Sequence, residues 1–256
     1  MSVLCIGDVV GEAGCEFVRR HLPAYKKLRG IDVCVANGEN SAQGNGVTPH
    51  SAEHLLASGV DLITTGNHTY RRAEAYAYLD SGAPIIRPAN HHKSCPGTGV
   101  FVIDKGRYSI AVVNIIGAVG MEPCANPFDC IDGILLTITQ TKNIIMDFHA
   151  EATAEKRAMG FYLDGRITAL FGTHTHVQTT DACLLPNGTG YITDLGMTGP
   201  IHSVLGVVPE LAIEKMRTGM PVRFDNPKTD CKMEGCIFEL DEKTGKALSC
   251  EYISIT

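Results

Sequence analysis

The chain has 256 residues, with 22 Lys plus Arg against 28 Asp plus Glu and a formal net charge of −6. With 44% hydrophobic and 20% charged residues it lies far from the composition of disordered chains, and its length suffices to bury a large core. An acidic balance without a long basic run excludes duplex nucleic acid as a partner, because neutralising phosphates needs clustered Lys and Arg.

Met1 to Asp8 lacks the basic start, long apolar middle and small-residue cleavage site of a secretory leader, so a cytoplasmic protein is expected. Val3 to Ile6 reads as the first strand. Glu12 to Leu28 carries Phe17, Val18, Leu22, Tyr25 and Leu28 at helical spacing, with Pro23 expected to interrupt or kink the helix. A second strand follows at Asp32 to Ala36. Thr48-Pro49 supplies a cap and a first-turn proline for a helix to about Ala57, with Gly59 beyond its end. Leu62 to Thr65 is a third strand, and Ala73 to Leu79 a helix. Val100 to Ile103 and Tyr108 to Ile115 flank Asp104-Lys105-Gly106-Arg107, which reads as a hairpin turn.

The longest apolar stretch, Ile110 to Met121, is broken by Asn114, Gly117 and Gly120 and falls short of the roughly 20 residues a spanning helix needs, so no membrane partner is expected. Ile134 to Ile138 is predicted helical, Asn143 to Phe148 a strand, Ala152 to Leu163 a helix and Ile167 to Phe171 a strand. Gly190 to Thr193, Gly235 to Leu240 and Leu248 to Ile255 read as strands around one helix at Glu210 to Arg217. Strands alternating with helices indicate the α/β class, and the absence of a repeat or linker makes residues 1–256 a single domain. The ten cysteines contain no Cys-x-x-Cys pair, so reduced thiols are expected rather than disulfides or a thiolate zinc site.

Five apolar strands end alike. Ile6 is followed by Gly7-Asp8, Val35 by Asn37-Gly38-Glu39-Asn40, Ile63 by Gly66-Asn67-His68, Met146 by Asp147-Phe148-His149, and Phe171 by Gly172-Thr173-His174-Thr175-His176. Singly, each reads as easily as a cap, a turn or a hydrogen-bonded polar residue. Together they place carboxylates, amides and imidazoles past strand carboxyl ends, which border one crevice in open α/β sheets. If the last strand continues through His174 and His176, both imidazoles face one side, as paired ligands require. Oxygen and nitrogen donors without sulfur suit Mn, Fe, Zn or Ni, and their number exceeds the needs of one tetrahedral ion. Two ions about 3.5–4 Å apart with a shared carboxylate would use them all.

This series, from Gly7-Asp8 to Gly172-Thr173-His174-Thr175-His176, resembles the calcineurin-like metallophosphoesterases, whose pattern is Asp-x-His, Gly-Asp, Gly-Asn-His, His and Gly-His-x-His. Gly38-Glu39-Asn40 in place of Gly-Asp, and Val10 where the first motif has its His, are similar to the bacterial YmdB-type branch of 2′,3′-cyclic-nucleotide phosphodiesterases, as is Thr193-Asp194-Leu195-Gly196-Met197-Thr198-Gly199-Pro200. The resemblance implies a four-layer α/β/β/α sandwich of two mixed sheets flanked by helices. It implies two divalent or trivalent transition-metal ions, iron or manganese first and zinc as the alternative. Asp8, Glu39, Asn40 and His176 would hold one ion, and Glu39, Asn67, His149 and His174 the other, with Asn40 partly replacing the missing histidine through its amide oxygen.

The implied reaction is attack of a metal-bridging hydroxide on a cyclic nucleotide, with His68 protonating the departing sugar oxygen. The alternatives are a metallophosphatase acting on other phosphoesters, and a regulatory nucleotide- or partner-binding protein that keeps the metal site. Tyr70, Arg71 and Arg72 read as nucleotide contacts or an exposed helix start, and Gly44-Asn45-Gly46 as a flexible loop. His21, His50, His54, His91, His92 and His202 lie outside the strand-end series and read as structural or surface residues. A homo-oligomer stays open at this stage, as does the identity of the metals and substrate.

Overall fold

The computed structural model describes residues 1–256. Seven strands form the first sheet: β1 (Ser2–Ile6), β2 (Asp8–Val9), β3 (Val33–Asn37), β4 (Leu62–Thr64), β11 (Met197–Pro200), β12 (Cys231–Asp241) and β13 (Lys246–Ile255). They run in the order β2-β11-β12-β1-β3-β4, with β13 paired to β12. The second sheet contains β5 (Val100–Asp104), β6 (Ser109–Ile116), β7 (Ile144–His149), β8 (Ala169–Thr173), β9 (Cys183–Leu184) and β10 (Gly190–Ile192), in the order β5-β6-β7-β8-β10-β9. The strands β1, β3 and β4 are parallel, as are β6, β7, β8 and β10; antiparallel partners such as β12 and β5 make both sheets mixed.

Side-chain alternation along the central strands sorts the core into three apolar layers. Leu4 and Ile6 of β1 pack toward α1 (Gly11–Arg29) and α2 (Pro49–Ala57), among Val18, Leu22 and Leu55. Val3 and Cys5 point the other way and meet Val112, Ile145 and Phe171 between the sheets. Val113, Met146 and Leu170 face outward again, against Ile131 of α4 (Pro127–Leu135) and Met159 and Leu163 of α5 (Thr153–Leu163). The result is the expected four-layer α/β/β/α sandwich. The short α3 (Ala75–Leu79) and α6 (Pro209–Thr218) complete the helices, none of them long and apolar enough to cross a membrane. All ten cysteines are free thiols.

Local signals hold where they carry their own chemistry. Thr48 Oγ1 accepts from Ser51 N at 3.2 Å and Pro49 opens α2, while Gly106 at φ +72° turns the hairpin that pairs Asp104 with Ser109. Three expectations fail. Pro23 neither ends nor splits α1: it lies on the exposed face, away from the buried Val18 and Leu22. The fourth helix starts at Pro127 and stops at Leu135 rather than spanning Ile134 to Ile138, since Asn126 caps it by accepting from Phe128 N at 2.9 Å. Strand β8 ends at Thr173, so His174 and His176 do not alternate on a strand; they sit in a loop at φ +102° and +63°.

Candidate metal centre

The strand ends converge. Asp8 opens β2 after Gly7, where a Cβ would lie 2.2 Å from the Gly196 carbonyl oxygen, so only glycine lets the chain turn there. Glu39 and Asn40 occupy the turn after β3, Asn67 and His68 the turn after β4, and His149 is the last residue of β7. Asp8, Glu39, Asn40 and His149 are buried, and Asn67, His68, His174 and His176 partly so.

Glu39 lies between two sets of donors. On one side Asn40 Nδ2 is 3.4 Å from Asp8 Oδ1, 3.2 Å from Glu39 Oε1 and 3.2 Å from His176 Nε2, with His176 Nε2 3.5 Å from Asp8 Oδ1. On the other, His149 Nε2 is 3.4 Å from Glu39 Oε1, 2.9 Å from Asn67 Oδ1 and 3.1 Å from His174 Nδ1. The ligand atoms of Glu39, His149 and His174 all fall within 4.8 Å of one another. His68 borders both sets: its backbone N–H donates to Glu39 Oε2 at 2.9 Å, and its Nδ1 is 2.8 Å from Asn40 Oδ1. The Asn40 amide thus turns its nitrogen to the carboxylates and its oxygen to His68. Presenting that oxygen to a cation requires a half-turn about χ2.

The electrostatics of the cluster are those of a cation site. Asp8 and Glu39 are within 1% of complete burial, and their ion-pairing partners are imidazoles rather than Lys or Arg. Burial, and after it the negative charge of Asp8, push the Glu39 carboxyl up to about 8. Burial also works against Asp8, but the His176 imidazole outweighs it and holds the carboxyl well below the usual range; in return Asp8 overcomes the burial of His176 and lifts that ring to about 9. Burial pushes His68 down to about 4 and lowers His149 and His174. Without a cation the two buried carboxyl groups are balanced by protons, one kept by Glu39 and one by His176 beside Asp8; a cation would take the place of those protons, and a donor set of oxygen and nitrogen fits transition-metal cations.

Residues that the strand-end pattern did not single out hold the donors in place. His176 Nδ1 is 2.9 Å from the Leu205 carbonyl oxygen, and His174 Nε2 is 3.1 Å from Glu151. Asp194 accepts from Thr175 N, Thr175 Oγ1 and Gly196 N, and pairs at 2.7 Å with Lys156. Lys156 was legible as a charged residue on the face that also carries Met159, Gly160 and Leu163. Of the residues after Asn67-His68, Tyr70 donates to Pro96 O and Arg72 holds the 43–46 loop through Gln43 O and Asn45 O, leaving exposed Arg71 near Glu122. Outside the cluster, His21 stacks on Phe17, His91 packs edge-on against Tyr70, and His92 bonds Ser94.

The chain also matches known proteins. A family model described as YmdB-like protein matches residues 4–253. A Bacillus subtilis relative, 2′,3′-cyclic-nucleotide 2′-phosphodiesterase, is 41% identical over 256 residues, covering 100% of this chain and 97% of the relative. A Thermus thermophilus crystal structure superposes with TM-score 0.93 at 38% identity, covering all of both chains. A Mycoplasma pneumoniae structure, described as a novel phosphatase, gives TM-score 0.93 at 34% identity, covering 100% of this chain and 93% of its own. At 12% identity and TM-score 0.60, the calcineurin-like phosphoesterase YfkN of Bacillus subtilis shares the fold, over 100% of this chain and 90% of YfkN. Sequence match along nearly the whole chain, and not fold alone, therefore shows that it belongs to the YmdB-like protein family.

Proposed function

We propose that this protein is a metal-dependent phosphoric diester hydrolase acting on 2′,3′-cyclic nucleotides. The observation that carries the reading is the gathering of two buried carboxylates, two amides and three imidazoles around Glu39, with His68 at their edge. Asp8, Asn40 and His176 would hold one cation, Asn67, His149 and His174 a second, and Glu39 would be shared, since it lies against both sets. The substrate class follows the Bacillus subtilis relative. Bound there, iron or manganese, or zinc in their place, supplies Lewis acidity: charge on the phosphoryl oxygens is neutralised and the pKa of the attacking water falls.

The protein's own part is orientation and proton supply. A half-turn of the Asn40 amide would set its oxygen toward the carboxylate pair and its Nδ2 toward His68 Nδ1, now 2.8 Å from Asn40 Oδ1. The single proton of a neutral His68 ring then resides on Nε2. That nitrogen is free to protonate the departing 2′ oxygen, which leaves the nucleoside 3′-phosphate. Burial, which lowers His68, keeps the ring neutral at pH 7, so to act as the acid it would take up a proton in the course of the reaction and return to neutral on giving one to the departing oxygen.

His68→Ala tests the assignment. Turnover should drop about 10²–10⁴-fold with metal content unchanged, and full activity in the variant would remove the role. Parallel assays on 2′,3′-cyclic AMP, 3′,5′-cyclic AMP, bis-p-nitrophenyl phosphate and p-nitrophenyl phosphate, with elemental analysis of the purified protein, test substrate and metal together. Preference for the monoester would replace the diesterase reading with a phosphatase.

A further inference from the structure

Two residues with no place in the mechanism above lie directly behind His149. This imidazole is fully excluded from solvent, with Nε2 turned to the cluster and Nδ1 turned away, 2.9 Å from Thr173 Oγ1. Thr173 is the register partner of His149 on the neighbouring strand, and its hydroxyl lies 2.7 Å from Asp147 Oδ1. Asp147, two residues before His149 on β7, projects from the same face and is itself fully buried. Thr64 Oγ1 and Asn37 Nδ2 also donate to it, the latter at 3.1 Å. Burial raises the Asp147 carboxyl to about 7, and three donors around it work in the other direction, since they serve the ionised form, which only accepts.

The distances favour one arrangement of protons. Thr173 donates its one hydroxyl proton to the carboxylate at 2.7 Å, which leaves the Oγ1 lone pairs to accept from His149. At 2.9 Å, Thr173 Oγ1 is the nearer partner of Nδ1, with Asn37 Nδ2 farther off at 3.4 Å from both atoms, so the imidazole proton is assigned to Nδ1. Nε2 is consequently bare where it faces Glu39, Asn67 and His174. A bare nitrogen is the form that a cation needs, and a carboxylate behind the ring raises its basicity as a ligand.

We infer that Asp147 and Thr173 are positioning residues: through the Thr173 hydroxyl, the Asp147 carboxylate sets the tautomer and orientation of His149 for metal binding. This rests on the metal-centre reading above. The competing role is purely structural. Asn37 and Thr64 belong to the first sheet and Asp147 to the second, so the same carboxylate also ties the sheets together beneath the centre.

Calorimetric titration of the full-length, metal-stripped protein with Mn²⁺, beside thermal melts, separates the two roles. Thr173→Val keeps the side-chain volume and removes the relay, whereas Thr64→Val weakens the sheet tie and leaves the relay intact. The wild type should bind two ions. Thr173→Val should bind one of them about 10–100-fold more weakly, Thr173→Ser should restore it to within about 3-fold, and Thr64→Val should lose thermal stability while binding as the wild type does. If Thr173→Val does not fold, Asp147→Asn is titrated in its place and should show the same single weakened site. Wild-type affinity in a folded Thr173→Val or Asp147→Asn protein would overturn the inference, as would equal weakening in Thr64→Val. A wild type that takes up no ion would instead sink the metal-centre reading itself.

Discussion

Lys156→Met is the most direct test of how the loop bearing His174 and His176 is held. Lys156 and Asp194 are each 1% exposed and meet at 2.7 Å. Methionine keeps most of the stem, so the packing around it stays filled and the change isolates the ammonium. Stranding one member of a buried pair costs about 3–5 kcal/mol, and a chain of this size loses about 2–4 °C in Tm per kcal/mol, so a drop of about 6–20 °C is expected. Burial already raises the Asp194 carboxyl, even beside Lys156. Without the ammonium it escapes further cost by taking up a proton, which places the loss in the lower half of that range and makes it smaller at low pH. Asp194 also anchors Thr175 between the two histidines, so the rise in Tm on adding Mn²⁺ should shrink as well. In Lys156→Met/Asp194→Asn no charge is stranded, and the double variant should melt above the Lys156→Met single. Scanning calorimetry decides the matter: a Lys156→Met protein melting within about 2 °C of the wild type, or single-variant losses that simply add, would refute the argument.

Two further outcomes follow from the geometry of the centre. A Cβ on Gly66 would lie 2.3 Å from the His149 ring and 2.5 Å from Glu39 Oε2, so Gly66→Ala should fold yet lose bound metal by elemental analysis; a full complement of two ions would contradict the packing. The metal-free protein should become less stable between pH 7 and 9, read as Tm in the presence of chelator. Folded Glu39 keeps its proton to about 8 whereas the unfolded carboxyl releases it near 4.5, and folded His176 keeps its proton to about 9 against 6.5 unfolded. In both cases the folded state binds more protons, so stability falls as pH rises through those values. His68 and His149, which are lowered, act only as pH falls below about 6.5. Bound cations should flatten the slope, and a metal-free Tm that rises from pH 7 to 9 would count against the charge arrangement.

What could be read from the sequence was what each segment carries within itself. An apolar run closed by glycine and a polar residue marks a strand end, and five such ends imply a crevice; Thr48-Pro49 and Asp104-Lys105-Gly106-Arg107 announce a helix start and a hairpin. What stayed hidden depends on distant partners. Strand β8 stops at Thr173 because the chain must wrap around the centre: His174 N donates to Asp8 Oδ2, and Thr175 donates to Asp194. The left-handed backbone at His174 and His176 is held by those bonds and by no residue preference of its own. The strands β2, β9 and β11, two to four residues long, exist only as partners of β11, β10 and β12. The Lys156 to Asp194 pair spans 38 positions, and nothing local to either residue names the other.

The valine at position 10, read from the sequence as a lost ligand, has a positive role in the fold. Val10 is 5% exposed, precedes α1, and donates its N–H to Thr198 O at 2.8 Å. A Cβ on Gly206 would lie 2.5 Å from Val10 Cγ1, and one on Gly199 3.1 Å from Val10 Cβ, so two glycines of the 199–206 segment close directly onto this side chain. That segment carries Leu205, whose carbonyl takes His176 Nδ1 at 2.9 Å. An imidazole in place of the isopropyl group is larger and polar, and it would lift the segment away, removing the acceptor that orients His176. The chain therefore has an apolar seat for one histidine where the superfamily pattern has another histidine. In the proposed metal centre Asn40 would make up the missing donor only after a half-turn about χ2, because it is Nδ2, and not the amide oxygen, that lies against Asp8, Glu39 and His176.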